Sequence, residues 1–152
     1  MFGRYLIGFL AAALAVLVAH QPLVFLLNSM GLIPFKAYNM EAVKTAPTWL
    51  AAVMAQAGFK GWPGIFNQMF WGGLWGVVFA GIHQWLPGRA MLVKGILFGL
   101  IILVASNWIV LPLIRGTPLF ANLVPMSMLI GVLLQCTFGA VTALLYSMFR
   151  RT

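Results

Sequence analysis

Acidic residues are almost absent from this chain: Glu41 is the only one, and there is no aspartate. With no second carboxylate, catalysis by a pair of acids is excluded, and without aspartate a Ser–His–Asp triad cannot form. A proton-coupled transporter normally carries an acidic residue inside the membrane. We therefore predict that the protein is neither an enzyme nor an active transporter, and that it has no catalytic residues.

Cysteine and histidine are also scarce. The single cysteine, Cys136, excludes an intrachain disulfide and lies in an apolar stretch, as a small hydrophobic residue would. The two histidines, His20 and His83, would differ in depth by about 15 Å in helices, which is too far apart for one haem iron. His20 alone could ligate a pigment metal or a haem, but we predict no metal site and no cofactor.

Charge is low overall and apolar residues dominate. Charged residues make up 7% of the 152 residues, against about 25% in soluble domains, and the mean hydropathy is +1.04. Four uncharged stretches each reach the roughly 20 residues of a spanning helix, which predicts helices near residues 5–28, 64–86, 92–114 and 122–149. The predicted fold is all-α, an integral membrane four-helix bundle that forms a single transmembrane domain over residues 1–152.

The loop between the first two predicted spans is the longest, at about residues 31–63. It contains Thr45-Ala-Pro-Thr48, a helix-start signal with an early proline, followed by an apolar segment up to Gly58. A helix near residues 46–58 is too short to span. It is expected to lie at the membrane surface, anchored by Trp49 and Lys60, or alternatively to form a re-entrant lid over the bundle.

The basic residues are scattered along the chain. They lack the clustered basic surface that nucleic acid requires, so we predict contact with the lipid bilayer and none with nucleic acid. Lys and Arg are enriched in cytoplasmic loops. With the N-terminus inside, five lie on the inner face and four on the outer (inner: Arg4, Arg89, Lys94, Arg150, Arg151; outer: Lys36, Lys44, Lys60, Arg115). This small bias predicts both termini in the cytoplasm, and we place the protein in a bacterial inner membrane.

Parts of the chain repeat. The first and third predicted helices align at an offset of 87 residues, and the second and fourth at an offset of 63 (Gly8 with Gly95, Ala12 with Gly99, His20 with Asn107; Gly76 with Gly139, His83 with Tyr146). This pattern predicts a duplicated helical hairpin. Because each copy would hold two helices, the copies would be parallel and related by an axis along the membrane normal.

Aromatic-glycine motifs occur in the second and fourth predicted helices. With the motifs that open and close the third helix, they form a pattern over about residues 65–147 (Phe70-Trp71-Gly72-Gly73, Lys94-Gly-Ile-Leu-Phe-Gly99, Val110-Leu-Pro112, Thr137-Phe-Gly139). The pattern resembles small four-helix bacterial inner-membrane proteins of unknown function, built as a tandem two-helix repeat. In that family a histidine often precedes the aromatic-glycine motif. Here Asn67 and Gln135 occupy those places, so no role that depends on that histidine carries over.

Small residues spaced four apart favour close contact between helices in lipid. Gly72 and Gly76, and likewise Gly95 and Gly99, have this spacing. They predict helix packing inside the monomer or an interface with a partner. Trp71 and Trp75, also four residues apart, form an aromatic stripe that could pack internally, face lipid, or bind a partner helix or a flat pigment.

Polar residues within the apolar helices form the candidate ligand site. His20, Asn67, Asn107 and Gln135 are all expected in the outer half of the bundle, where they could converge. One interpretation is hydrogen bonding between helices, worth about 0.6 kcal/mol for each bond. The alternative is a site for a hydrophobic ligand with a polar head, such as a lipid or a quinone.

These patterns support two hypotheses on function. The first is a non-catalytic accessory or assembly subunit that packs against a larger membrane protein complex, or against copies of itself. The second is a small membrane carrier or binding protein that holds a lipid or quinone-like ligand at the outer-half polar residues.

Overall fold

The computed structural model describes residues 2–44 and 48–150. Within these residues the secondary structure is helical, with no β-strand. The helices are, in chain order, α1 (Phe2–Ala15), a first π segment (Val16–His20), α2 (Gln21–Ser29), α3 (Thr48–Gln56), α4 (Gly64–Ile82), α5 (Met91–Ile102), a second π segment (Leu103–Val110), α6 (Leu111–Arg115), a 3-10 turn (Phe120–Leu123) and α7 (Pro125–Phe149).

Four of the described helical stretches are long and apolar enough to cross a membrane. They are the first to fourth spans (Phe2–Ser29, Gly64–Ile82, Met91–Leu113, Pro125–Phe149). Spanning segments are helical because the backbone must satisfy its own hydrogen bonds in lipid. The described residues confirm the prediction of an all-α fold with four helices long and apolar enough to cross a membrane.

Two helix ends differ by a few residues from the predicted bounds. α4 ends at Ile82 rather than near residue 86. The chain turns there, with the Trp85 N–H donating to the Ile82 carbonyl at 2.9 Å, ahead of Pro87, which disfavours a helical conformation of the preceding residue. α7 begins at Pro125 rather than near residue 122, because proline suits the first helical position.

The segment before α7 is a tight left-handed turn. Residues Phe120–Leu123 all have φ between +51° and +55°, a conformation that costs L-residues about 1–2 kcal/mol each. The Phe120 ring packs edge-on against Trp108, with ring centroids 5.9 Å apart. This contact ties the turn to the second π segment.

The short helix α3 covers Thr48–Gln56, a shorter stretch than the predicted 46–58. Gly58, two residues after the end of α3, has φ +88°, and the Phe59 N–H donates to the Met54 carbonyl at 3.0 Å. A glycine in this conformation is a common helix terminator. The start signal predicted at residues 45–47 lies outside the described residues.

Glycine contacts hold the spans together in two hairpins. α1 packs against α4, and α5 packs against α7. Gly8 faces Gly76 in the first hairpin, and Gly95 faces Gly139 in the second, with each glycine against the backbone carbonyl of the other. The two hairpins join chiefly where α1 packs against α7.

Both π segments precede a proline. The Gln21 N–H donates to the Val16 carbonyl, and the Leu111 N–H to the Ser106 carbonyl, so each bond spans five residues. Pro22 and Pro112 lie in the first turn of the following α-helices. Since proline removes a donor and clashes with the carbonyl four residues earlier, the wider π turn lets each helix continue without a break.

Candidate functional site

The four polar residues predicted to form a ligand site have separate surroundings. The His20 ring packs edge-on against Phe138, with centroids 6.4 Å apart, and its buried Nδ1 has no hydrogen-bond partner among the described residues. Asn67 lies near the start of α4 and accepts a hydrogen bond from Trp62 Nε1 at 3.3 Å. Its amide is thus used locally.

Asn107 and Gln135 lie on different elements. Asn107 is half-buried on the second π segment, and Gln135 is half-buried on α7, where its backbone carbonyl faces Gly99. No hydrogen bond of the described residues joins the side chains of His20, Asn67, Asn107 and Gln135. Their convergence on one ligand therefore stays a prediction.

Gln21, the residue after His20, joins the first span to α4 and to the loop, and the sequence analysis missed it. Its side chain is 1% exposed. Its Nε2 donates to Gln68 Oε1 on α4, and its Oε1 accepts the Tyr38 N–H at 2.6 Å. Its position between His20 and Pro22, inside an apolar stretch, was the available signal.

Tyr38 links the loop to the first π segment. Its hydroxyl donates to the Leu17 carbonyl at 3.0 Å, while its backbone N–H donates to Gln21. A π turn alters the usual backbone hydrogen-bond pattern, and Leu17 gains this side-chain donor. Tyr38 therefore holds the loop against the first span through both its backbone N–H and its side-chain hydroxyl.

The predicted packing glycines lie inside the chain. Gly72, Gly76, Gly95 and Gly99 are all buried, and each faces another span: Gly72 meets Val16, Gly76 meets Gly8, Gly95 meets Gly139, and Gly99 meets Gln135. The four residues thus bring spans of one chain together.

The two tryptophans of the predicted stripe differ in exposure. Trp75 is half-buried and packs against Phe98 of α5, with ring centroids 6.2 Å apart. Trp71 is 56% exposed. It shares the surface of α4 with three other exposed residues, which together form the aromatic face (Phe70, Trp71, Leu74, Val78).

A second group of polar residues lies at the opposite end of the bundle, which we name the basic end (Arg4, His83, Lys94, Arg150). His83 follows α4 and is buried between rings, 5.7 Å from Phe79 and 5.1 Å from Tyr146 by centroids. Its Nδ1 lies 3.1 Å from the Ala80 carbonyl, and its Nε2 lies 3.3 Å from Arg150 Nη1. Since arginine only donates, Nε2 accepts and the imidazole is neutral.

Electrostatics agree with a neutral His83. Burial lowers its pKa below the ordinary value of 6.5. A hydrogen bond to the Ala80 carbonyl opposes this shift, and the charges of Arg150 and Lys94 add to it. Lys94 also donates from Nζ to the His83 carbonyl at 2.9 Å, which satisfies a backbone group at the end of α4.

We expect the stability of the protein to fall at acidic pH through His83. Because its pKa is lower in the folded chain, the unfolded chain binds more protons below about pH 6.5. The contribution is complete above that pH and is lost as the pH falls through the folded pKa. Thermal unfolding in detergent between about pH 8 and pH 5 should show a steeper decline for the wild type than for His83→Gln. Equal slopes would exclude this role.

Two buried polar atoms near His83 lack partners among the described residues. They are the hydroxyl of Tyr146, which is 0% exposed, and Nε of Arg4. An unpaired buried polar group costs about 1–3 kcal/mol. Tyr146 also lines a shallow cavity of about 290 Å³, together with His83, Met91, Ser147 and Arg150.

A second shallow cavity, of about 740 Å³, lies in the long loop, between residues 36–42 and 58–60. No cluster of His, Cys or acidic residues suited to a metal occurs among the described residues. No protein-family model matches the chain, and no curated protein or solved structure is significantly similar to it. Function is therefore inferred from these sites alone.

Proposed function

We propose that the protein is a non-catalytic accessory or assembly subunit whose aromatic face packs against a helix of another membrane protein. The observation that carries this proposal is the position of Trp71. It lies about 10 Å from one end of α4 and about 16 Å from the other, by helical rise, yet is 56% exposed. Tryptophan in membrane proteins is enriched at the two interfaces instead.

The neighbours of Trp71 support an interface with protein. Phe70 packs edge-on against it, with ring centroids 5.7 Å apart, and is 44% exposed. Trp71, Leu74 and Val78 recur at intervals of three and four residues, so they share one side of the helix. Large, rigid aromatic side chains are enriched in the centres of protein interfaces.

Native mass spectrometry of the protein extracted from its own membrane in mild detergent tests the proposal. Larger subunits should co-purify with the wild type in fixed ratio. Trp71→Ala should weaken the association by about 2 kcal/mol, or about thirtyfold, as expected for an interface hot spot. The matched control is Trp85→Ala, since Trp85 is 81% exposed in the turn after α4. A bare wild-type monomer would overturn the proposal.

His20 favours a second candidate, a carrier of a lipid or quinone-like ligand. Its buried Nδ1 has no partner within the described residues, and it lies on a π segment, a feature that is frequent at functional sites. Under this candidate the same spectra would show a monomer with a small bound mass, and His20→Leu would lose that mass. If the His20→Leu variant kept the bound mass, His20 would not be part of the ligand site.

We further propose that the two hairpins arose by duplication. The contact of Gly8 with Gly76 corresponds to that of Gly95 with Gly139, at the offsets of 87 and 63 residues that align the sequence. The π segments begin at Val16 and Leu103, also 87 residues apart. Kinship with the small four-helix bacterial proteins that the motifs resemble is part of this proposal.

For orientation, we propose a bacterial inner membrane with both termini in the cytoplasm. Arg4, Arg89, Lys94 and Arg150 all lie at the end of the spans where the described chain begins and ends, which agrees with the enrichment of Lys and Arg in cytoplasmic loops. α3 would lie on the opposite membrane surface. Its Trp49 is 68% exposed, as an interfacial anchor would be.

A further inference from the structure

We propose that the basic end binds a phosphate group, carried by a lipid headgroup or by a free phosphate compound. Three cations from three spans lie at this end of the bundle: Arg4 from α1, Lys94 from the first turn of α5, and Arg150 after α7. Arg150 and Lys94 both contact His83, and Arg4 donates from Nη2 to the Tyr5 hydroxyl at 2.6 Å. The proposal is independent of the aromatic face.

No acidic side chain balances these charges. Glu41 is the only one in the chain, and its carbonyl accepts the Gly64 N–H at 3.0 Å, at the start of α4. His83 follows the other end of that helix, about 28 Å away by helical rise. A bound anion would therefore supply charge that the side chains of this chain do not.

The two unpartnered buried atoms identify the kind of ligand. Tyr146 lines the 290 Å³ cavity, and its hydroxyl is fully buried without a partner among the described residues. At the same end of the bundle, Nε of Arg4 is a second buried donor without an acceptor among the described residues. A group with several acceptor oxygens and negative charge matches a site of donors, and arginine binds phosphate through paired hydrogen bonds.

Neighbouring groups orient the cations. His83, as a neutral acceptor, holds Arg150 at the mouth of the cavity. The Arg150 guanidinium also lies 5.6 Å from the centre of the Tyr146 ring. Met91, the first residue of α5, lines the cavity too, so the positive end of that helix dipole lies beside it.

Binding of phosphatidylglycerol and of glycerol phosphate to the delipidated full-length chain, measured by native mass spectrometry, tests the proposal. Arg150→Gln should weaken binding about tenfold, since it removes a charged hydrogen-bond donor. Tyr146→Phe should weaken it severalfold while it keeps the buried ring. The matched control is Arg89→Gln, at an exposed residue of the loop before α5, which should leave binding unchanged.

The outcomes separate the two sources. Binding of phosphatidylglycerol alone supports a lipid headgroup, and binding of glycerol phosphate as well supports a free phosphate compound. If neither binds, or if Arg89→Gln weakens binding as much as Arg150→Gln, the site is overturned in favour of general surface charge. The Trp71→Ala experiment tests a different surface, so its outcome would leave these binding results unchanged.

Discussion

Replacing Gly76 with alanine is expected to force the first two spans apart and to lower the free energy of unfolding by about 3 kcal/mol, the upper end of the usual cost of overpacking. A Cβ at this position would overlap the Gly8 carbonyl oxygen and approach the Ala12 Cβ at 2.5 Å. Since the obstacle is backbone, no side-chain rotation relieves it, and α4 must move away from α1.

Gly81→Ala is the matched control on the same helix. A Cβ there would meet only Tyr5 Cε1 at 3.8 Å, an ordinary contact, and alanine favours helix over glycine by about 1 kcal/mol. Thermal unfolding in detergent should therefore show a lower midpoint for Gly76→Ala and an equal or higher one for Gly81→Ala. Equal midpoints for the two variants would mean that the Gly8–Gly76 contact does not hold the hairpin.

The second hairpin offers the same test. A Cβ at Gly139 would overlap the Gly95 carbonyl oxygen and approach the Gly99 backbone nitrogen at 2.7 Å. Gly139→Ala should therefore destabilise the chain to a similar degree as Gly76→Ala, as two copies of one hairpin would. A much smaller effect would count against equivalent hairpins.

Replacing Gln21 with alanine should release the long loop from the first two spans and destabilise the chain by about 2 kcal/mol, through unpaired partners and a cavity. Gln21 is the shared partner of Gln68 on α4 and of the Tyr38 backbone. Without it, both lose a hydrogen bond to a buried side chain. Of the two hydrogen bonds that Tyr38 makes to the first span, only that of its hydroxyl to the Leu17 carbonyl would remain.

Hydrogen exchange of residues 31–44 measures this release directly, beside thermal unfolding. Exchange should accelerate in Gln21→Ala, whereas Gln84→Ala should behave like the wild type because Gln84 is exposed in the turn after α4. Unchanged exchange in the Gln21 variant would show that other contacts hold the loop.

Pro22 and Pro112 show how much local structure can be predicted from the sequence. Hydropathy placed four spanning helices because burial in lipid depends on local composition. It did not mark the π segments, although a proline one turn inside an apolar helix signals a disturbed hydrogen-bond ladder. The preference of proline for the first helical position, applied to Pro125, would have placed the start of α7. Pro87 restricts only Leu86, so it does not by itself place the end of α4 at Ile82.

The candidate sites were harder to predict from the sequence than the helices. His20 was singled out as an intramembrane polar residue, and its buried, unpartnered Nδ1 keeps it a candidate. Gln21, adjacent to it, was passed over because its partners Gln68 and Tyr38 lie 47 and 17 residues away. Its position inside an apolar stretch marks Gln21 as a candidate, but the local sequence does not reveal which partners it has.

By itself, the sequence determined that this chain is apolar, almost free of acids, and divided into four spanning helices, because each of these properties is a sum over neighbouring residues. Only the tertiary structure decided which glycines face each other and which cation meets His83. Arg150 and His83 are 67 residues apart, and their contact depends on how α4 and α7 pack. The packing of the two helices brings these side chains together, and composition does not encode that packing.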